Sequence, residues 1–285
     1  MRKQCVLVLA LIAAVLVPAA PALGQDQQAA ADLAKQAQNP IANMISLPFQ
    51  DNINFNVGPL DRNQNSLNIQ PVIPFSLGRV NLITRTIVPI LYRPVITEET
   101  GGTSGLGDIN SSFFFSPAAA GKLTWGVGPV VYFPTATDDA LGSGKWSAGP
   151  SVIALTMPGK WLIGALASNV WSFAGGDEDD ADISSFLLQY FINYNLPNQW
   201  YLTSAPIITA NWKAEDGNKW VIPFGGGFGK IFKIGSQPVN GQIQAFWNAI
   251  HPEASDAPPV GGLPPDASEG ASWTLRFQLQ LLFPR

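Results

Sequence analysis

The sequence predicts an all-β chain, a transmembrane antiparallel up-and-down β-barrel of about 12 strands. Composition supplies the first argument. Of 285 residues, 46% are hydrophobic and only 13% are charged, whereas ordinary soluble domains carry roughly 25% charged residues. A surface meant for water is half missing. Second, past the first two dozen residues no run of about 18 to 20 apolar residues occurs, so no spanning helix accounts for the shortfall. Disorder is excluded by 9 Trp, 16 Phe and 5 Tyr, because such chains lack aromatic residues. Third, the last segment alternates strictly. In Trp273, Leu275, Phe277, Leu279, Leu281 and Phe283 every odd position is large and apolar, while Thr274, Arg276, Gln278 and Gln280 stand between them. Lipid outside and water inside demand that period of two.

The elements follow in order. Arg2 and Lys3 precede an uncharged apolar run from Cys5 to Val17, and Ala22-Leu23-Gly24 supplies small residues before Gln25. This reads as a secretory signal peptide over 1–24. Its removal takes away Cys5, the single cysteine, so no disulfide, thiolate metal site or cysteine nucleophile is expected in the exported chain. Losing Arg2 and Lys3 also deepens the net charge of −4, which argues against nucleic-acid binding. Residues 25–43 are small and polar and read as a periplasmic N-terminal leader. The barrel is assigned to 44–285. Within it lie apolar-rich segments at 44–57, 65–74, 79–92, 105–116, 122–134, 145–157, 160–173, 183–196, 199–213, 218–232, 238–250 and 271–283. Each is near or above the roughly 9 to 11 residues that cross a bilayer at a tilt.

The connections alternate in kind. Those through Pro158-Gly159 and Pro197-Asn198 are short. Like them, the connections after even-numbered segments are short, whereas those after odd-numbered segments are usually longer and gather the acids: Asp61, Glu98 and Glu99, Asp138 and Asp139, Asp177 to Asp182, Glu215 and Asp216, and Glu253 to Glu269. Short periplasmic turns and long outer loops are the rule for outer-membrane barrels, so the acids also fix the orientation. Trp146, Trp161, Trp200, Trp220 and Trp273 open strands, and Trp171, Trp212 and Trp247 lie near strand ends, as interfacial belts require. Seven prolines (Pro48, Pro71, Pro89, Pro129, Pro150, Pro206 and Pro223) oppose this reading, since each removes a ladder donor. Two of them share a near-repeat, Trp125-Gly126-Val127-Gly128-Pro129-Val130 and Trp146-Ser147-Ala148-Gly149-Pro150-Ser151. It predicts a repeated bend or bulge, with Gly225, Gly226, Gly227 and Gly229 acting alike in the tenth strand.

A resemblance rests on ordered motifs. These are Gly105-Leu106-Gly107-Asp108-Ile109 with Phe113-Phe114-Phe115-Ser116-Pro117, and Phe133-Pro134-Thr135-Ala136-Thr137-Asp138 with Leu141-Gly142-Ser143-Gly144-Lys145-Trp146. Asn169-Val170-Trp171-Ser172-Phe173, Phe191-Ile192-Asn193-Tyr194-Asn195, Ala210-Asn211-Trp212 and Trp220-Val221-Ile222-Pro223 follow, and the chain closes on Leu281-Leu282-Phe283-Pro284-Arg285. Over most of its length the chain resembles the bacterial outer-membrane family named after the meta-pathway of phenol degradation, often labelled a transporter. The resemblance implies an outer-membrane barrel with an uptake or channel role, and no catalytic residues to carry over. Phe283 stands where such proteins end on an aromatic residue read by the barrel insertion machinery, here followed by Pro284 and Arg285.

Candidate chemistry is sparse. A lipid-modifying barrel enzyme needs a nucleophile, a base and an orienting group. The one histidine, His251, opens the longest loop, and no G-x-S-x-G is present. The acidic run from Asp177 to Asp182 could attract Ca²⁺, yet lacks the spaced ligands and central glycine of an EF-hand loop. Gly225-Gly226-Gly227-Phe228-Gly229-Lys230 matches no phosphate-loop pattern. No cofactor, metal site or catalytic residue is expected. The lumen carries the reading instead. Alternation turns Arg276, Gln278 and Gln280 inward, with Gln189, Asn193 and Asn195 on the eighth strand, Thr209, Asn211 and Lys213 on the ninth, and Gln242, Gln244 and Asn248 on the eleventh. Arg79, Arg85 and Arg93 share one face of the third. Such a wall is wet, rich in amides and slightly positive. The expected role is a channel or transporter for small molecules in the outer membrane of a Gram-negative bacterium, with outer-membrane lipids around it and a small-molecule solute within. Aromatic or hydrophobic solutes enter on the family resemblance alone. The alternatives are the lipid-modifying enzyme and a structural barrel with a plugged lumen.

Overall fold

The computed structural model describes residues 32–119, 121–176, 182–253 and 270–284. The expected signal peptide, the leader up to residue 31, Asp177 to Ala181, and Asp256, Asp266 and Glu269 of the last outer loop lie outside the described residues. The strands are β1 (Ile45–Val57), β2 (Arg62–Ile69), β3 (Val72–Ser76), β4 (Val80–Pro94), β5 (Gly102–Leu106), β6 (Ile109–Pro117), β7 (Leu123–Phe133) and β8 (Lys145–Thr156). They continue as β9 (Trp161–Gly175), β10 (Ser184–Asn195), β11 (Trp200–Ser204), β12 (Ile207–Asn211), β13 (Trp220–Ile234), β14 (Gln237–Ile250) and β15 (Trp273–Phe283). Among the described residues, no helix is long and apolar enough to cross a membrane.

These strands form one antiparallel sheet that closes on itself. β15 pairs back onto β1, from Ile45 opposite Phe283 to Phe55 opposite Trp273, so no described strand is left as an edge. Closure is what a bilayer enforces, because an unpaired strand would leave N–H and C=O groups in hydrocarbon. Three staves are each made of two strands. β2 and β3 are broken at Gln70-Pro71, β5 and β6 at Gly107-Asp108, and β11 and β12 at Ala205-Pro206. Counted as staves the barrel has twelve, at the places the alternation predicted.

Pro71 and Pro206 thus sit in gaps where no ladder donor is required. Of the bulge that the W-x-x-G-P repeat suggested, a register shift appears in the second copy, at Trp146/Ser147, and none at the two prolines themselves. Pro129 lies directly opposite Pro150 with no register shift, and the shifts fall at Asn54/Val57, Trp146/Ser147 and Ile222/Pro223. The glycines mark a close approach of neighbouring strands. A Cβ on Gly128 would lie 1.7 Å from the Phe113 carbonyl oxygen, and one on Gly149 1.8 Å from that of Asn169. Glycine lets the strands coil into close approach without an inserted residue.

Outward faces carry the aromatic belts. Trp146, Trp171, Trp212, Trp247 and Trp273 are exposed near one rim and Trp125 and Trp161 near the other, spaced along strands of 11 to 15 residues. Inward faces split in two. β1, β2, β14 and β15 bury amides and hydroxyls, among them Asn52, Asn54, Ser66, Asn68, Asn240 and Gln244. The opposite side buries Ile83, Phe114, Ile153, Leu155, Leu162, Leu166 and Phe191 as one apolar cluster joined by Ile41. Half of the barrel interior is therefore a packed core, of the kind that fills narrow barrels.

Candidate functional site

The site is the lumen, and its geometry begins at the broken staves. At Ala205-Pro206 the chain dips inward, and the Ala205 N–H and C=O face the interior instead of a neighbouring strand. Gln244 Oε1 accepts from the Ala205 N–H at 3.1 Å. Arg276 Nη1 donates to the Ala205 carbonyl at 2.9 Å, and its Nε donates to Asn52 Oδ1 at 2.8 Å. The guanidinium also stacks 5.0 Å from the Phe246 ring. Arg276 thereby forms a chord from β15 to the β11–β12 break, passing β14 and β13. Glycines on the inward face of β13 leave room for it. Gly227 faces Thr203 on one side and Gln244 on the other, and Gly229 lies so near the Tyr201 ring that a Cβ would come within 2.2 Å.

The second break repeats the device with different groups. At Gln70-Pro71 the Gln70 N–H donates to the Pro48 carbonyl at 2.9 Å, while Gln70 Oε1 accepts from Arg85 Nη2 at 2.6 Å. Between the two breaks lies a cavity of about 130 Å³, walled by Gln50, Gln70, Arg85, Gln242, Arg276 and Gln278 among others. Its floor is the segment before β1. Residues 32–38 form a short helix. Ala34, Ala37, Ala42 and Met44 bury themselves against Tyr201, Ile231 and Leu282, and Gln38 Nε2 donates to Asn195 Oδ1 at 2.8 Å. Residues 32–43, the described part of the segment read as a leader, thus occupy the mouth at the rim of the short turns. Tyr201 is tied in turn to the wall, its hydroxyl donating to Asn240 Oδ1 at 2.6 Å.

The third break sets the opposite mouth. Asp108, just past β5, accepts through Oδ1 from the N–H groups of Thr135 (3.1 Å) and Ala136 (3.2 Å). Its Oδ2 accepts from the N–H (2.8 Å) and the hydroxyl (2.9 Å) of Ser143. A single carboxylate pins both ends of the 134–144 loop. Buried Leu141 then packs against Gly105 and Gly107, where any Cβ would collide with Thr137, Leu141 or Leu91. Arg93 Nη1 donates to the Ala140 carbonyl at 3.3 Å. The Gly105–Ile109, Phe133–Asp138 and Leu141–Trp146 motifs of the sequence are therefore one construction, a loop latched over the rim.

The residues expected to line the lumen are placed as follows. Arg85, Gln189, Asn193, Gln242, Gln244, Arg276, Gln278 and Gln280 surround this cavity. Arg93 stands higher, at the latched loop. Asn211 ends β12, where its Oδ1 accepts from the Lys213 N–H at 3.0 Å and caps a turn. Arg79 differs from its expected place. It lies exposed in the turn before β4, its carbonyl accepting from the Ala118 N–H, because the strand begins one residue later. Sequence reasoning overlooked Asp108, Gln70, Ala205 and Asn52 as functional positions. Pro71 and Pro206 were the signal for two of them, since a proline inside a strand marks a break in the stave, and at Ala205 side chains take up the backbone groups that the break leaves.

His251 is exposed, its Nδ1 3.1 Å from the Pro252 carbonyl of the same loop. Among the described residues no group of three metal-ligating side chains is gathered.

Comparison with solved structures fits this geometry. The chain is similar to an outer membrane channel from Pseudomonas putida F1, with a TM-score of 0.63 and 15% identity over 84% of this chain and 95% of that one. The fold is that of an outer-membrane β-barrel. An outer membrane phospholipase A from Escherichia coli is more distant, with a TM-score of 0.42 and 12% identity over 85% of this chain and 93% of that one. No family model matches the sequence, and no curated protein matches it.

Proposed function

We propose that this chain is an outer-membrane channel for small molecules, exported by residues 1–24 and placed among outer-membrane lipids by the barrel insertion machinery. The observation that carries the reading is the amide- and arginine-walled cavity inside a closed barrel, between a latched loop at one mouth and residues 32–44 at the other. A barrel serving only as a wall has no need of a polar hollow, since apolar residues would fill it at lower cost. The resemblance to the phenol-degradation family, together with the structural likeness to a channel, supports membership of that family and small aromatic or hydrophobic solutes. The decisive experiment is single-channel recording, with liposome swelling, on the purified full-length barrel. Conductance and solute uptake are expected, and the absence of both would overturn the channel.

One observation favours a second reading. The cluster from Ile83 to Phe191 fills half of the interior, which suits a structural barrel with a plugged lumen. The same recording separates the two.

A further inference from the structure

We propose that the short-turn rim of the barrel is a docking surface for anionic phospholipid headgroups, seated on Lys160, Lys230 and Lys233 beside a row of interfacial aromatic rings. The surface belongs to the membrane-embedded barrel of the reading above and does not depend on its conducting.

Charge is sorted by rim. The long connections gather the acids, from Asp61 to Glu253 among the described residues. At the short turns the sign reverses. Arg79 precedes β4, Lys122 precedes β7, Lys160 precedes β9, and Lys230 and Lys233 lie on β13 just ahead of its turn into β14. The one described acid on this side, Asp32, belongs to the helix at the mouth and not to the wall, and Lys35 accompanies it there. Arg79, Lys122, Lys160 and Lys233 are exposed. Among the described residues, none of the five wall cations is in an ion pair. A cationic rim without anions of its own attracts them from whatever borders it, and in a bilayer that is the headgroup layer.

The aromatic rings fix the depth of this rim. Trp161 stands opposite Tyr194, with ring centroids 4.7 Å apart, and Trp200 stands opposite Lys230. The Lys230 ammonium lies 5.0 Å from the Trp200 ring centroid, and that ring packs against Phe228 at 5.8 Å. Trp161, Leu202 and Phe228 are exposed on the same outward face. Tryptophan and tyrosine rings settle at the headgroup level, so Lys230 is held at the boundary of the hydrocarbon, where a snorkelling cation is favoured. The β13–β14 hairpin continues past Trp200 to Ile234 and Gln237 and carries Lys233 farther into the headgroup layer. Lys160 flanks the row at its other end, next to Trp161.

The chemistry of the headgroup follows. A lysine ammonium has three donors and no acceptor. Lys230 turns one side to the Trp200 face and keeps donors for a phosphate, while Leu202 and Phe228 offer an apolar wall to the acyl chain. A zwitterionic headgroup brings a cation of its own to a rim that already carries several, so a net anionic one is preferred. The acids of the opposite rim repel the same lipid, which confines it to one leaflet. In an outer-membrane barrel the short turns face the periplasm, on the side where the leaflet is phospholipid.

Native mass spectrometry of the purified full-length barrel in mild detergent tests the surface. Phosphatidylglycerol is the probe, and phosphatidylcholine with the same acyl chains is its zwitterionic control. The wild type is expected to retain phosphatidylglycerol about fivefold better or more, and Lys160→Gln/Lys230→Gln/Lys233→Gln should lose most of that preference. The corresponding triple Arg variant should keep it, because the charge survives. Lys219→Gln, on the opposite rim, should match the wild type. Equal retention of the two lipids by the wild type, or an undiminished preference in the triple Gln variant, overturns the proposal. So does a preference lost equally in Lys219→Gln, which would place the lipid elsewhere. If the triple Gln variant does not fold, Lys233→Gln alone and the dependence on ammonium acetate concentration decide. The preference must fall in that variant and weaken as salt screens the rim, and a preference indifferent to both overturns the surface. A barrel that retains phosphatidylglycerol in this way but admits no solute to liposomes would refute the channel and leave the surface standing.

Discussion

Arg276 and Ala205 lie on strands separated by two others, yet the Arg276 guanidinium donates to the Ala205 carbonyl at 2.9 Å. The contact exists because Pro206 interrupts the stave and leaves the Ala205 backbone turned inward, and because glycines on β13 leave the path clear. An arginine that alternation alone assigns to the wall is in fact a strut across the lumen.

Removing the strut has a stability consequence. Arg276→Met deletes charge-assisted hydrogen bonds to Ala205 and to Asn52, both in a buried setting. A loss of roughly 1.5–3 kcal/mol is expected, the usual worth of a hydrogen bond to a charged group. Urea unfolding in liposomes, followed by tryptophan fluorescence, measures it. An unchanged midpoint would mean the strut carries no load.

The Asp108 latch makes a separate claim. In Asp108→Ala the four bonds to Thr135, Ala136 and Ser143 are lost, and the 134–144 loop is expected to become cleavable by external protease while the barrel stays folded. Asp108→Asn retains one acceptor oxygen and should be intermediate. Equal protease resistance in the wild type and Asp108→Ala would show that the loop is held by Leu141 packing alone.

Close approach of strands predicts an abrupt folding defect. Gly149→Ala puts a methyl group 1.8 Å from the Asn169 carbonyl oxygen, which forces the β8–β9 pair apart. The heat-modifiable folded band on electrophoresis is expected to vanish. Gly78→Asn, at φ +79° with no atom within 4 Å of where a Cβ would stand, should fold normally.

Orientation is testable by cysteine labelling. Asp139 and Asp216 lie in connections at the rim that gathers the acids, while Asn198 and Gly235 lie in short turns at the other rim. Cysteines at the first pair should react with an impermeant thiol reagent on intact cells, and those at the second pair should not. The reverse pattern would invert the barrel. Cys5, the single native cysteine, falls in the expected signal segment and leaves the background clean.

The enzyme reading meets its test at His251. With the ring exposed and turned to the carbonyl of its own neighbour, His251→Ala is expected to change neither insertion nor uptake. Lipid hydrolysis by the purified wild type that disappears in this variant would reverse the assignment.

The staves, and on one side of the barrel their faces, are legible in the residues alone. From Trp273 to Phe283 the contrast between apolar and amide positions is complete, so a period of two fixes which side chains meet lipid. The same contrast set Gln189, Gln242, Gln244 and Gln280 inward. Along β6, β8 and β9 that signal fails. Phe114, Ile153, Leu155 and Leu166 point inward while Phe115, Val152 and Ile163 point outward, and a strand apolar on both faces carries no contrast to read. It took the folded barrel to reveal that half of the interior is a core, that residues 32–44 enter one mouth, and that Asp108 binds the 134–144 loop. The physical reason is closure. Local alternation records the polarity a residue needs, but what fills the space inside depends on side chains brought together from opposite walls, and no spacing along the chain encodes that distance.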